Sequence, residues 1–312
     1  GACGRLGNFG QKRRFRHKKG IKMKIIRAKS AGFCFGVERA IGIARKCTDC
    51  GRNKVYTDGP LIHNRQMMER LEEEGILEIG DYQSSNELKS ELSSKKADDV
   101  LVVRAHGVSP ERREYLKNLG LTFKDATCPD VGRIAGAIKI HAQKGYTIII
   151  MGDPKHPEVI GLLGYAGGKG YVVKNNEDID ALPKIEGDIC LVSQSTMFPD
   201  DYQAIADYLK KRFPNLEVID TICGATKERQ KDVTVLATQG AQAIIVIGGR
   251  HSANTVKLAI MAKRTGLPCF HIETLAELDL NEIKKFDIVG VTAGASTPEF
   301  LIDEVCNALN KI

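Results

Sequence analysis

The sequence predicts an α/β fold of three small, pseudo-repeated domains, each with a parallel sheet. Three observations lead to this prediction. Cysteines recur at spacings of 94 and 95 residues, at Cys34, Cys128 and Cys223. A short strand precedes each cysteine and a helix follows it, and further polar residues follow at nearly constant distances. Repeats of fixed period define the architecture, and alternation of strands and helices is typical of parallel sheets.

The cysteine segments are the first repeated element. The stretch 123–129 (FKDATCP) matches 218–224 (VIDTICG), and the periodicity predicts helices over 131–144 and 226–238. The first copy runs from a strand at 24–27 through a longer turn to Cys34 and a helix over 37–47. Each cysteine is therefore predicted to lie between a strand and a helix.

The second repeated element is a polar residue that follows each cysteine. His63 lies 29 residues after the first cysteine, His156 lies 28 after the second, and Ser252 lies 29 after the third. Apolar strands are predicted just before the last two, at 147–151 and 243–247, and a weaker one before the first, at 54–56.

The third repeated element is an apolar strand that ends in polar side chains. Strands predicted at 100–103, 189–192 and 286–291 lead to His106, to Ser195 and Thr196, and to Ser296. Ligands of parallel sheets bind beyond the carboxyl ends of the strands, so these residues are expected to converge. The predicted domains are 35–127, 128–219 and 220–312, the last completed by a strand within 23–34, with 81–99 as a surface connection.

The net charge of +7 is concentrated at one end of the chain. Residues 1–22 hold eight of the 46 Lys and Arg residues and no acidic residue, which leaves 38 basic and 39 acidic residues elsewhere. We expect 1–22 to be a basic, disordered arm, or sequence upstream of a natural start at Met23. The neutral body predicts no nucleic-acid partner, and apolar runs far below ~20 residues predict no membrane span and a cytoplasmic protein.

Nine cysteines without a secretory signal indicate reduced thiols. Three equivalent cysteines at one point would form a three-thiolate metal site, and a cluster held by three thiolates instead of four leaves one iron open to substrate. The alternative is three buried structural cysteines, which the fixed period disfavours. Cys47 and Cys50 form a CxxC pair at a helix end without a second pair, and we interpret it as incidental.

Histidines and hydroxyl or amide side chains form a candidate anion site. The segments 248–255 and 294–299 lie between a strand and a helix, where free backbone N–H groups attract anions. Pro298 is predicted as the first helical residue, capped by Ser296 or Thr297. Plain helix capping is the alternative. Convergence with three histidines favours a diphosphate site without a P-loop, formed by His63, His106, His156, Ser252, Asn254 and Ser296.

Glu158 follows His156 in the first turn of a predicted helix. An acid is favoured there by the helix dipole alone. The functional alternative is a proton donor that acts through Ser195 or Thr196. The residues by themselves leave both interpretations open.

Together these segments resemble the 4-hydroxy-3-methylbut-2-enyl diphosphate reductases, the iron–sulfur enzymes that end the methylerythritol phosphate route to isoprenoids. The resemblance runs in order from Lys24 to the C-terminus, and it rests on the segments 32–37 (GFCFGV), 61–64 (LIHN), 105–109 (AHGVS), 125–129 (DATCP), 156–158 (HPE) and 291–296 (VTAGAS).

The resemblance implies a trefoil of three lobes around a central [4Fe–4S] cluster held by Cys34, Cys128 and Cys223. It implies an oxidoreductase that converts (E)-4-hydroxy-3-methylbut-2-enyl diphosphate into isopentenyl and dimethylallyl diphosphates with two electrons, supplied by a reduced ferredoxin or flavodoxin, and two protons. Glu158 matches the proton donor and Ser195 the hydroxyl that orients the substrate. The remaining substrate contacts implied are His63, His106, His156, Thr196, Ser252, Asn254 and Ser296.

Two positions depart from the family pattern. Ser195 stands where the family commonly has threonine, so the hydroxyl is kept but the methyl group that restricts its rotamer is lost. Ala253 stands where the family commonly has serine, so one side-chain donor is missing. Two other functions stay open at this point: a non-redox cluster enzyme such as a hydro-lyase, and a cluster-sensing protein that binds RNA through its arm.

Overall fold

The structure, a computed structural model, describes residues 23–48, 54–80, 88 and 98–312. In these ranges the strands are β1 (Lys24–Arg27), β2 (Val55–Asp58), β3 (Ile76–Ile79), β4 (Val100–Val103), β5 (Thr122–Asp125), β6 (Thr147–Met151), β7 (Gly170–Val173), β8 (Ile189–Ser193), β9 (Leu216–Val218), β10 (Ala243–Ile247), β11 (Cys269–Ile272) and β12 (Ile288–Ala293). The helices are α1 (Phe35–Thr48), α2 (Arg65–Glu73), α3 (Pro110–Lys117), α4 (Pro129–Gln143), α5 (Pro157–Leu163), α6 (Asn176–Asp180), α7 (Pro199–Arg212), α8 (Gly224–Thr238), α9 (Ala253–Arg264), α10 (Leu280–Ile283) and α11 (Glu299–Asn310).

The strands form three four-stranded parallel sheets, which define lobes 1, 2 and 3. Their strand orders are β3-β2-β4-β5, β7-β6-β8-β9 and β11-β10-β12-β1. The same order therefore occurs three times, with β4, β8 and β12 at equivalent central positions. The first strand of the chain completes the last sheet, because Lys24 of β1 pairs with Ile288 of β12. The chain is an α/β protein with a trefoil of three pseudo-equivalent lobes, as the sequence predicts.

Each sheet carries helices on both faces, as strand β10 illustrates. Ile245 and Ile247 pack on one face with residues of α11 such as Ile302. Ile244 and Val246, which alternate with them, pack on the other face with residues of α8 and α9. A sheet buried on both sides requires continuously apolar strands, which is why the central strands read as unbroken hydrophobic runs.

The strands predicted at 24–27, 100–103, 147–151 and 243–247 match the observed ones residue for residue. The cysteine helices begin two residues earlier than predicted, directly after each cysteine. The prediction for Pro298 is wrong: it is the N-cap of α11 and lies outside the helix, with no side-chain cap bond. Ser296 donates instead to the carbonyl of His63 in lobe 1, and Thr297 donates to the carbonyl of Ile247 within lobe 3.

The three sheets draw their strands from the three predicted domain ranges, whose boundaries remain predictions. The arm 1–22, nearly all of the connection 81–99, and Cys50 lie outside the described residues. Among the helices that the structure describes, none is long and apolar enough to cross a membrane.

Candidate functional site

The three repeated cysteines have the same backbone environment. Each lies directly before the first residue of a helix, at the start of α1, α4 and α8. Each backbone N–H donates to the carbonyl of the residue two positions past the end of β12, β4 or β8. The bonds run from Cys34 to Ala295 (3.1 Å), from Cys128 to Ala105 (2.9 Å) and from Cys223 to Ser195 (3.0 Å). The three helix N-termini therefore meet, and their partial positive charges favour thiolates there.

The thiols themselves converge, and Gly36 shows how closely. A Cβ at Gly36 would lie 2.4 Å from the Cys128 Sγ and 3.9 Å from the Cys34 Sγ, so only glycine leaves room for both. Burial raises the pKa of Cys128 and of Cys223, and in both cases the nearby Cys34 raises it further. Three soft sulfur donors in a closed space suit iron or an iron–sulfur cluster.

A buried arginine lies beside this cysteine centre. Arg229 of α8 is 3% exposed and donates to the carbonyl of Gly32 at 2.7 Å. Burial lowers the pKa of its guanidinium, whereas Cys34 and Cys223 raise it. A cation here offsets negative charge on the thiolates, and it also ties lobe 3 to the segment that carries Cys34.

Three histidines form the neighbouring wall. The rings of His63 and His106 stack with centroids 4.2 Å apart, and the ring of His156 lies edge-on at 5.6 and 5.7 Å. Their ligand nitrogens lie within 4.8 Å of one another, close enough to contact one anion or one metal ion. Burial lowers the pKa of His63 to about 3 and of His156 to about 4, and holds the pKa of His106 well below its ordinary value.

Hydroxyl and amide groups from lobe 3 complete this wall. Ser252 caps α9 by accepting the Thr255 N–H at 3.5 Å, and Asn254 in the first turn is buried. The Asn254 Nδ2 has no hydrogen-bond partner among the described residues. A buried amide donor without a partner is costly, so this one is suited to an acceptor on a ligand.

Glu158 is buried and held by one residue. It is 2% exposed, and its two carboxylate oxygens accept the Ser195 backbone N–H at 2.6 Å and the Ser195 hydroxyl at 2.7 Å. Burial raises the pKa of Glu158, while the bonds from Ser195 and the charge of Lys257 oppose the rise. A carboxyl group with a raised pKa, bonded to a hydroxyl that faces the same cavity, can store a proton and pass it on.

One cavity is lined by all twelve predicted site residues. Further residues with charged or aromatic side chains lie close by and carry no sequence prediction. Among them are Arg229 beside the cysteines, Lys257 near Glu158, and His251 beside His63. Only His251 had a usable signal, because it directly precedes Ser252. Cys190 lies in the core of lobe 2 and not at the site, and burial raises its pKa to about 12.

The fold and the site define a class of protein: a three-lobed α/β protein in which three cysteines, each at a helix N-terminus, line one cavity together with a cluster of histidines. The family model described as "LytB protein" matches residues 25–310. The chain belongs to the LytB protein family.

Curated relatives align over nearly the whole chain. The 4-hydroxy-3-methylbut-2-enyl diphosphate reductase of Opitutus terrae is 62% identical, covering 93% of this chain and 100% of the relative. The enzyme of the same name from Alkaliphilus oremlandii is 39% identical, also covering 93% of this chain and 100% of the relative. Both relatives are named as reductases, and neither name supports the hydro-lyase or the RNA-binding alternative.

Solved structures show the same fold. The E-1-hydroxy-2-methyl-but-2-enyl-4-diphosphate reductase from Plasmodium falciparum aligns with a TM-score of 0.83 and 31% identity, covering 92% of this chain and 88% of that one. A structure of (E)-4-hydroxy-3-methyl-but-2-enyl diphosphate reductase, described as the terminal enzyme of the non-mevalonate pathway, aligns with a TM-score of 0.67 and 36% identity, covering 93% and 100%.

Proposed function

We infer that this chain is an oxidoreductase that converts (E)-4-hydroxy-3-methylbut-2-enyl diphosphate into isopentenyl and dimethylallyl diphosphates. The reaction consumes two electrons and two protons and releases the allylic hydroxyl group as water. The observation that carries this function is the meeting, in one cavity, of three cysteines, a buried carboxyl group and three histidines. The family and the names of its relatives agree with it.

The cysteine centre fits a [4Fe–4S] cluster held by Cys34, Cys128 and Cys223. The donors are three free thiols at three helix N-termini, and Gly36 provides the space that any other residue would fill. When bound, the cluster supplies the electrons and an iron that has no ligand from the protein. Arg229 offsets its negative charge. A reduced ferredoxin or flavodoxin is the proposed source of electrons.

The histidine wall is proposed to bind the diphosphate. His63, His106 and His156 can donate ring N–H groups to phosphate oxygens. The Asn254 amide and the N-terminus of α9 add donors from lobe 3. The low pKa values of the histidines arise from burial, and a bound anion would raise them. Binding is therefore expected to move the protonation of these rings to higher pH.

Glu158 and Ser195 are proposed to deliver a proton to the leaving hydroxyl group. Protonated Glu158 donates to the Ser195 Oγ, and the Ser195 hydroxyl donates in turn to the oxygen of the substrate. The short bond between the two side chains supports this relay. Burial favours the protonated carboxyl group and keeps bulk water away from it. Thr196, next along the same loop, lines the cavity as a further hydroxyl.

The test is anaerobic purification, followed by iron and sulfide analysis and by turnover with an artificial reductant. We expect about four iron atoms and four sulfides per chain, and formation of both products only when reductant is present. Turnover without reductant would support a hydro-lyase instead.

Cysteine variants test the site assignment separately. Serine at Cys34, Cys128 or Cys223 should sharply lower cluster content. Cys190→Ser is the matched control, because this cysteine is fully buried in the core of lobe 2, and Cys47→Ser is a second control on α1. Full cluster content in Cys128→Ser would contradict the assignment.

A further inference from the structure

A fourth imidazole lies at the outer edge of the histidine wall. His251 belongs to the loop between β10 and α9 in lobe 3, directly before Ser252. Its ring centroid lies 5.8 Å from that of His63, with the rings inclined at 64°. The side chain of His63 is buried, whereas that of His251 is exposed. His251 therefore lies on the solvent side of the site.

The loop leaves room for this ring and directs its neighbour elsewhere. A Cβ at Gly249 would lie 2.9 Å from the His251 Cε1 and 3.3 Å from both ring nitrogens. Gly249 is not one of the glycines with positive φ, so the space for the ring and not the backbone conformation requires glycine here. Arg250 is anchored outside the site, because its backbone N–H donates to the Glu273 carboxylate at 2.7 Å and its guanidinium pairs with Glu277.

We propose that His251 is a further binding residue for the diphosphate of the substrate and contacts its distal phosphate. The inference rests on the proposed function. The substrate is linear, and its hydroxyl end is assigned to the cysteine centre and Glu158. The distal phosphate therefore lies farthest from the cysteines, on the side of the wall that meets solvent. An imidazole can donate an N–H in either tautomer, and two rings 5.8 Å apart can both reach the oxygens of one phosphate group.

The assignment also gives lobe 3 a histidine in a site whose other imidazoles come from lobes 1 and 2. His63 and His106 follow β2 and β4, and His156 follows β6. The equivalent position after β10 holds Ser252, with His251 one residue earlier. Each lobe thus presents an imidazole to the same ligand.

The experiment is calorimetric titration of the cluster-loaded protein with inorganic diphosphate and, separately, with inorganic phosphate. His251→Ala should raise the Kd for diphosphate roughly tenfold, since a hydrogen bond to a charged group is lost. The Kd for phosphate should change less than about twofold, because the single phosphate occupies the buried histidines. The KM for the substrate should rise with the diphosphate Kd while kcat stays nearly constant, as expected for a contact made in both ground and transition states.

Gly249→Ala provides an independent variant, because the added methyl group displaces the ring without removing it. It should weaken diphosphate binding as His251→Ala does, and the double variant should show no additional loss. Arg250→Ala is the matched control in the same loop and should leave diphosphate binding within about twofold of the wild type.

Wild-type affinity for diphosphate in His251→Ala would overturn the inference, and additive losses in the double variant would overturn the role of Gly249. Failure of the proposed function gives a different result: the wild-type protein itself would neither bind diphosphate nor reduce the substrate.

Discussion

Replacing Glu158 with glutamine separates proton delivery from binding. In the structure each carboxylate oxygen accepts one hydrogen bond from Ser195. The amide oxygen of glutamine can still accept the backbone N–H, and its NH₂ group can donate to the Ser195 Oγ, so two bonds remain. The variant exchanges a charge-assisted bond for a neutral one, at a cost of about 1 kcal/mol, but it no longer has a carboxylate to bury. We therefore expect it to fold and to keep its cluster.

The effect on rate should be much larger than the effect on stability. Cleavage of the allylic C–O bond expels hydroxide unless a proton arrives with it, and a positioned acid contributes about 10²–10⁴-fold. Glutamine has no proton to give at neutral pH. We expect kcat to fall by about 10²–10⁴-fold, and KM to stay within about threefold because the histidine wall is unchanged.

The assay is anaerobic turnover with excess artificial reductant, on protein matched for iron and sulfide content. Asp153→Asn is the control: it makes the same chemical change five residues away, at an exposed carboxylate paired with Lys174 at 2.9 Å. It should retain near-normal kcat. A near-normal kcat in cluster-replete Glu158→Gln would remove Glu158 from the mechanism.

Three other predictions concern loading, stability and the arm. Gly36→Ala should lower cluster content, because its Cβ would lie 2.4 Å from a ligand sulfur, whereas Gly42→Ala on the same helix meets nothing within 4 Å and should load normally; equal iron content would contradict the argument. The folded protein holds the pKa of His63 at about 3 and of His156 at about 4, against an ordinary 6.5. The contribution of these two histidines to the stability of the cluster-free protein should therefore be full above pH 6.5 and fall as the pH drops toward 3–4. Thermal melts should show a shallower fall in stability when both histidines are replaced by glutamine. Deletion of 1–22 should leave turnover nearly unchanged and lower the pI, and a large loss of turnover would assign the arm to the active enzyme.

The sequence predicts the lobes well because the same residue order occurs three times. The cysteines could be located by their period alone, and the histidines and hydroxyl residues by their position after apolar strands. The parallel topology predicts that these residues lie close together in one cavity, since they follow equivalent strand ends that face the shared centre. The roles of the individual residues came from the family resemblance and remain proposals.

What the sequence could not provide depends on contacts between lobes. Arg229 donates to Gly32, 197 residues away, and nothing local marks it as a partner of the cysteines. Local preference places Pro298 in the first helical turn, but the preceding hydroxyl groups bond to distant carbonyls, and the helix starts one residue later. At Pro298, long-range hydrogen bonds therefore override the local pattern.

The pairing of β1 with β12 sets when the cysteine centre can form during synthesis. β1 is made before the other strands of the three lobes, yet its sheet is completed only by residues 288–293. Cys34 lies between β1 and α1, and its N–H bonds to Ala295. The position of this cysteine is therefore settled only after β12 has been translated and has paired with β1, a closure of high sequence separation and correspondingly slow. Cluster insertion is accordingly expected as a late, post-translational step. In a ribosome-bound chain that stops before β12, Cys128 and Cys223 can form their backbone bonds to Ala105 and Ser195, whereas Cys34 lacks its partner Ala295.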